Sequence, residues 1–139
     1  MTKRILIFSL FIALFASCSS SGKVASDSNS RLLSFGNGGG FTGIYVSYEL
    51  FEDGNVFILL PDSSLQPLKK IRKKKARELF TQADKVKTAQ PGFNHPGNMT
   101  WFVKYQADGV ITEYKWGDSN ASVPVEIQDL YNQLNTIVK

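Results

Sequence analysis

The chain has 139 residues, 42% hydrophobic and 12% aromatic, enough apolar side chains for one packed core and too many for a chain disordered throughout. Its formal charge of +4 includes Lys3 and Arg4, which lie in a segment with the marks of a removable leader; without them 14 basic side chains face 12 acidic ones, a net of +2. So small an excess gives no electrostatic footprint for nucleic acid, and a single cysteine excludes an internal disulfide.

The chain opens Met1-Thr2-Lys3-Arg4, a short basic start, and continues with 11 residues, 5–15, that are apolar except for Ser9. Small residues Ala16 and Ser17 follow, then Cys18. A charged start, a short apolar run and small residues before a cut are the three parts of a secretory signal. The run falls well short of the roughly 20 residues that a membrane-spanning helix needs. Residues 1–17 therefore read as a signal peptide.

The tetrad Phe15-Ala16-Ser17-Cys18 resembles the lipobox of bacterial lipoproteins. Phe15 departs from the pattern, which usually has Leu or another aliphatic there. The resemblance implies cleavage before Cys18 and several acyl chains, palmitate among them, on that cysteine. More than one chain gives a stable anchor, whereas a single one holds only marginally. It also implies a place in the bacterial cell envelope. Ser19 is not the Asp associated with inner-membrane retention, so the resemblance favours the outer membrane. Two other readings compete: an ordinary secretory signal that leaves a soluble protein, and an uncleaved anchor, for which the segment is too short.

Residues 18–40 read as the lipidated cysteine and a flexible tether. The stretch carries six Ser between positions 19 and 30 and ends Gly36-Asn37-Gly38-Gly39-Gly40. Within it Arg31-Leu32-Leu33 and Phe35 are apolar enough to add a short strand or to dock on the domain. The Gly run lacks the Gly-Lys-Ser/Thr ending of a phosphate loop.

The domain is expected over 41–139. Residues 41–60 predict a hairpin around Glu52-Asp53-Gly54-Asn55. Pairing Phe51 with Val56 puts Ile44, Val46, Tyr48 and Leu50 on the core face with Phe57 and Leu59, and Ser47 and Glu49 on the other. Residues 61–67 are a turn-rich break. From 72 to 86, Ala76, Leu79, Phe80, Ala83 and Val86 fall at helical spacing. Residues 88–98, with two Pro-Gly pairs, read as a loop. A second hairpin turns at Asp108-Gly109, placing Trp101, Val103 and Tyr105 with Thr112, Tyr114 and Trp116, and Lys104 across from Glu113. After Pro124, the residues Ile127, Leu130, Tyr131, Leu134, Ile137 and Val138 mark a last helix. The expected fold is α+β, ββαββα: a four-stranded, mainly antiparallel sheet with two helices on one face. The domain resembles the small uncharacterised lipoproteins of bacterial envelopes.

No catalytic residue or metal ligand stands out. His95 is the sole histidine, and a metal site needs several converging donors. The acidic residues Glu49, Glu52, Asp53, Asp62, Glu78, Asp84, Asp108, Glu113 and Asp118 are scattered, and turn and surface roles account for them. The expectation is a non-enzymatic protein without a cofactor. Lys69, Lys70, Arg72, Lys73, Lys74, Lys75 and Arg77 put seven cations into nine residues. They read either as a solvated helix face or as a surface for anionic lipid or lipopolysaccharide, where each cation near the membrane adds on the order of 1 kcal/mol. Phe93, Phe102 and Tyr45 are candidates for a protein or glycan contact. The leading expectation is a structural or binding domain that engages another envelope component; the alternative is a carrier or sensor with an apolar pocket between sheet and helices, lined by Tyr48, Phe57, Tyr114 and Trp116.

Overall fold

Segments that alternate apolar and polar side chains pair into one seven-stranded sheet, and two amphipathic helices cover one of its faces. The structure is a computed structural model and describes residues 30–139; the signal-like segment and Cys18 lie outside the described residues. The elements in chain order are β1 (Leu32–Gly39), β2 (Ile44–Phe51), β3 (Asn55–Leu59), β4 (Leu65–Lys70), α1 (Lys73–Ala89), β5 (Phe93–His95), β6 (Met99–Ala107), β7 (Val110–Trp116) and α2 (Val125–Thr136). The sheet order is β4-β3-β2-β1-β6-β7-β5. Every pairing is antiparallel except that of the three-residue edge strand β5 with β7, which is parallel.

The four-stranded ββαββα expectation is therefore corrected: the sheet is mixed and has three further strands, although the class stays α+β and both helices lie on one face. The largest correction concerns residues expected to end the tether. Leu32–Gly39 is the central strand, paired along its whole length with β2 on one side and β6 on the other. Its Gly, Ser and Asn content gives weak strand propensity, which two flanking ladders of backbone hydrogen bonds override. Gly36 serves a close approach, because a Cβ there would run into the backbone carbonyl of Val46. β4 occupies part of the predicted break and the start of the basic run; Pro67 fits there because edge strands tolerate a missing N–H. β5 lies inside the predicted Pro-Gly loop.

The second hairpin folds in its predicted register. Asp108 and Gly109 have positive φ of 53° and 73°, as a type I′ turn requires, and Val103 faces Tyr114 while Lys104 faces Glu113. The first hairpin does not. Its loop is three residues long, Gly54 N–H donates to Phe51 O at 2.9 Å, and Leu50 pairs with Val56. That one-residue slip moves Phe57 and Leu59 off the core face and puts Val56 there instead.

The core lies between sheet and helices. Leu33, Phe35, Leu50, Val56, Val103, Tyr105 and Tyr114 rise from the sheet. Ala76, Leu79, Phe80, Ala83 and Val86 of α1, and Ile127, Leu130, Tyr131 and Leu134 of α2, come down onto them as the predicted stripes. Polar atoms at the margins are tied down. The Tyr105 hydroxyl donates to Asp84 at 2.6 Å and the Tyr114 hydroxyl to the Gln90 carbonyl at 3.0 Å. Arg31, at the entrance to β1, forms an ion pair with Glu52 at 2.8 Å and donates a hydrogen bond from Nη1 to Asp84 at 3.0 Å, with its guanidinium 4.9 Å from the Phe80 ring centre. This network fastens the start of the domain to the β2–β3 turn and to α1.

Candidate functional site

The face of the sheet that no helix covers carries the candidate site. Strand alternation and the register place Ser34, Ser47, Glu49, Phe57, Leu59, Phe102, Lys104, Glu113 and Lys115 on that face. One row across the strands reads Phe57, Glu49, Ser34, Lys104, Glu113; the next reads Leu59, Ser47, Gly36, Phe102, Lys115. Because Gly36 has no side chain, the second row dips at the central strand. Ser34, Tyr45, Ser47, Glu49, Leu59, Phe102, Lys104 and Lys115 line a hollow of about 360 Å³ there.

Its walls combine apolar rings with a few charges. Tyr45 and Phe102 lie 6.3 Å apart, with Phe102 buried although it faces away from the helices. Phe51 and Phe57 meet edge to face at 5.4 Å on the same side of the sheet. Lys104 and Lys115 share one carboxylate, that of Glu113, at 3.1 and 3.0 Å, and both ammonium groups pull the Glu113 carboxyl below its ordinary range against the opposing effect of burial. Glu49 differs. Burial raises its pKa, and among the described residues no ion pair or side-chain hydrogen bond offsets that desolvation. A desolvated carboxylate without a partner carries a cost that a bound donor would relieve.

One end of the sheet forms an apolar tip. Phe41 lies in the short 3-10 turn between β1 and β2 and is fully exposed; Ile44, Tyr45, Val46 and Met99 beside it are also exposed. These residues lie at the end of β1 opposite Arg31.

The structure redistributes the residues that the sequence singles out. Tyr45 and Phe102 do come together, but Phe93 packs against the core on the helix side. The expected pocket of Tyr48, Phe57, Tyr114 and Trp116 does not form. Phe57 lies on the opposite face, Tyr114 is wholly buried in the core, and Trp116 packs edge to face on Tyr131 at 5.1 Å. Exposed His95 has its ring 4.7 Å from that of Phe93, and among the described residues no group of His, Cys, Asp and Glu could hold a metal ion. Asp53, Asp62 and Asp118 each accept a backbone N–H two residues on at 2.9 Å, the turn roles expected of them. The seven cations are divided: Lys69 and Lys70 close β4, Arg72 precedes α1, and Lys73, Lys74, Lys75 and Arg77 follow in its first turns. Cys18 lies outside the described residues.

Ser34, Glu49, Leu59 and Lys115 belong to the hollow and were not singled out by sequence. The signal was present in part: Ser47 and Glu49 alternate with apolar residues and read as a solvated face. Missing from it are Phe57 and Leu59 beside them, whose face depends on the β3 register. Comparison with protein-family models and with curated proteins finds no match for this chain. No helix among the described residues is long and apolar enough to cross a membrane.

Proposed function

We propose that this is a lipid-anchored protein of the bacterial cell envelope, held by acyl chains on Cys18 in the outer membrane, whose domain is a non-catalytic binding module that uses the uncovered face of its sheet. The anchor rests on the lipobox resemblance of Phe15-Ala16-Ser17-Cys18. The binding role rests on one observation: Glu49 sits half-buried and unpaired in a hollow walled by Tyr45, Leu59 and Phe102. An antiparallel sheet with one face in water normally presents polar side chains there. This face instead presents rings beside a desolvated carboxylate, the pairing of apolar wall and few placed polar groups that marks a binding site. The ligand it suits offers a hydrogen-bond donor or a cation to Glu49 and an apolar or ring surface to Tyr45 and Phe102.

Two measurements test this reading. Intact mass and membrane partitioning of the native protein, against Cys18→Ala, test the anchor. Loss of residues 1–17, added acyl mass and release on mutation are expected; an unmodified Cys18 in a soluble protein overturns it. Photo-crosslinking in the native envelope from a probe at Tyr45, compared with one at exposed Glu78 on α1, tests the face. Adducts from position 45 that vanish with Glu49→Ala are expected, and equal yields from both positions count against a dedicated face.

A further inference from the structure

We propose that the end of the domain where the chain enters at Arg31 rests on the anionic headgroups of the membrane that holds Cys18. This rests on the lipid-anchor reading above. Topology puts several features at that one end. β1 starts there at Leu32, opposite Phe51, and Arg31 is fixed to Glu52 of the adjoining turn. β4 finishes at the same end, where Asn55 pairs with Lys70 and the Ile71 N–H donates to the Gly54 carbonyl at 2.9 Å. α1 starts two residues later. The run from Lys69 to Arg77, which the structure divides between β4 and α1, thus starts at the same end of the sheet as the point where the anchored segment enters the domain. Twelve residues lie between Cys18 and Arg31, and thirteen steps along the chain at an upper limit of about 3.6 Å each keep that end within roughly 45 Å of the anchor.

Among the described residues none of the seven cations forms an ion pair, while the nearby acids Glu52 and Asp84 are taken by Arg31. The outer face of α1 continues the patch: Lys74, Arg77 and Lys85 flank a shallow trough with Glu78 as its one acid. The placement also works against the helix itself. α1 has no acidic residue in its first turn and no side-chain cap, so Lys73, Lys74 and Lys75 face the positive end of its dipole. A surface of phosphates would relieve that opposition and would meet the free N–H groups of the first turn as well. The opposite end of the sheet, with Phe41 at its tip, then points away from the bilayer toward ligands or partners.

The test uses the full, lipidated protein reconstituted into vesicles of phosphatidylcholine alone or of phosphatidylcholine with phosphatidylglycerol, with lysine acetylation followed residue by residue. Acetylation of Lys69, Lys70, Lys73, Lys74 and Lys85 is expected to slow about tenfold on the anionic vesicles at low salt and to recover at high salt, with Lys115 unchanged as internal reference. The exposed quadruple variant K69Q/K70Q/K73Q/K74Q, whose fold circular dichroism checks, is expected to lose most of the protection at Lys85. Equal labelling on both kinds of vesicle, from a protein that floats with each, overturns the docking and leaves the anchor standing. A protein without acyl mass that fails to float with phosphatidylcholine overturns the anchor reading and the docking with it.

Discussion

The two faces of one sheet are built to different ends. On the helix side, Leu33, Phe35, Leu50, Val103, Tyr105 and Tyr114 are fully buried, and the polar atoms among them are paired. On the other side the same strands carry Tyr45, Phe57, Leu59 and Phe102 next to Glu49, Lys104 and Lys115, and leave a hollow over Gly36. The covered face holds the fold together. The open face keeps rings at water and a carboxylate half out of it, an arrangement that does little for folding and suits binding.

The comparison is broken most directly by truncating matched rings. Phe35→Ala removes a fully buried ring from the central strand and is expected to cost about 3–5 kcal/mol, read from urea unfolding. Tyr45→Ala, at the half-exposed rim, is expected to change stability by less than about 1 kcal/mol while lowering the crosslinking yield of a probe placed at Leu59 on the open face. A loss at Tyr45 as large as that at Phe35 would make the open face structural.

Gly36→Ala attacks the floor shared by both faces. The added Cβ meets the Val46 carbonyl, so β1 and β2 must separate, at an expected cost of about 1–3 kcal/mol in the same assay.

A smaller effect probes the covered face through its phenols. Burial pushes the Tyr114 pKa up to about 12, and burial with the Asp84 hydrogen bond raises that of Tyr105 too. Because the folded values exceed those of the unfolded chain, the stabilisation is complete below about pH 10 and is lost as the pH climbs through the folded values. Melting temperature is expected to fall between about pH 10 and 12, and Tyr114→Phe with Tyr105→Phe to flatten that fall.

The smallest effect sharpens the contrast on the open side. The folded pKa of Glu49 is raised by burial, so its charge favours the unfolded chain once the pH passes the ordinary carboxylate value of about 4.3. Glu49→Gln is expected to raise the melting temperature slightly at about pH 7 and to leave it unchanged at about pH 3, while weakening ligand binding. No gain at neutral pH would show that Glu49 bears no cost in the free protein.

The two hairpins show how far such a fold can be read from its residues. Asp108-Gly109 demands one turn type, and the alternation Trp101, Val103, Tyr105 against Thr112, Tyr114, Trp116 admits one register. Local turn chemistry and pattern agree there. Around Glu52-Asp53-Gly54-Asn55 the turn accepts a loop of three or four residues, and Val56, Phe57, Ile58 and Leu59 are all apolar, so the pattern does not choose a face. The three-residue loop chose it, and with it which rings border Glu49. Much of the candidate site was hidden for that reason, and because its central strand has Gly36 and Gly38 where a tether was expected.

The sequence by itself determined both helices, because Ala76, Leu79, Phe80, Ala83 and Val86, and then Ile127, Leu130, Tyr131 and Leu134, encode a buried stripe within one local segment. It also determined the β6–β7 hairpin, whose partners are neighbours in the chain. The tertiary structure decided that Leu32–Gly39 is the centre of the sheet, that Phe57 and Leu59 leave the core, and that β4 carries Lys69 and Lys70 to the end of the sheet where the chain enters. Those outcomes depend on pairings between distant segments, and a strand of Gly, Ser and Asn becomes a strand only when two others bind its edges.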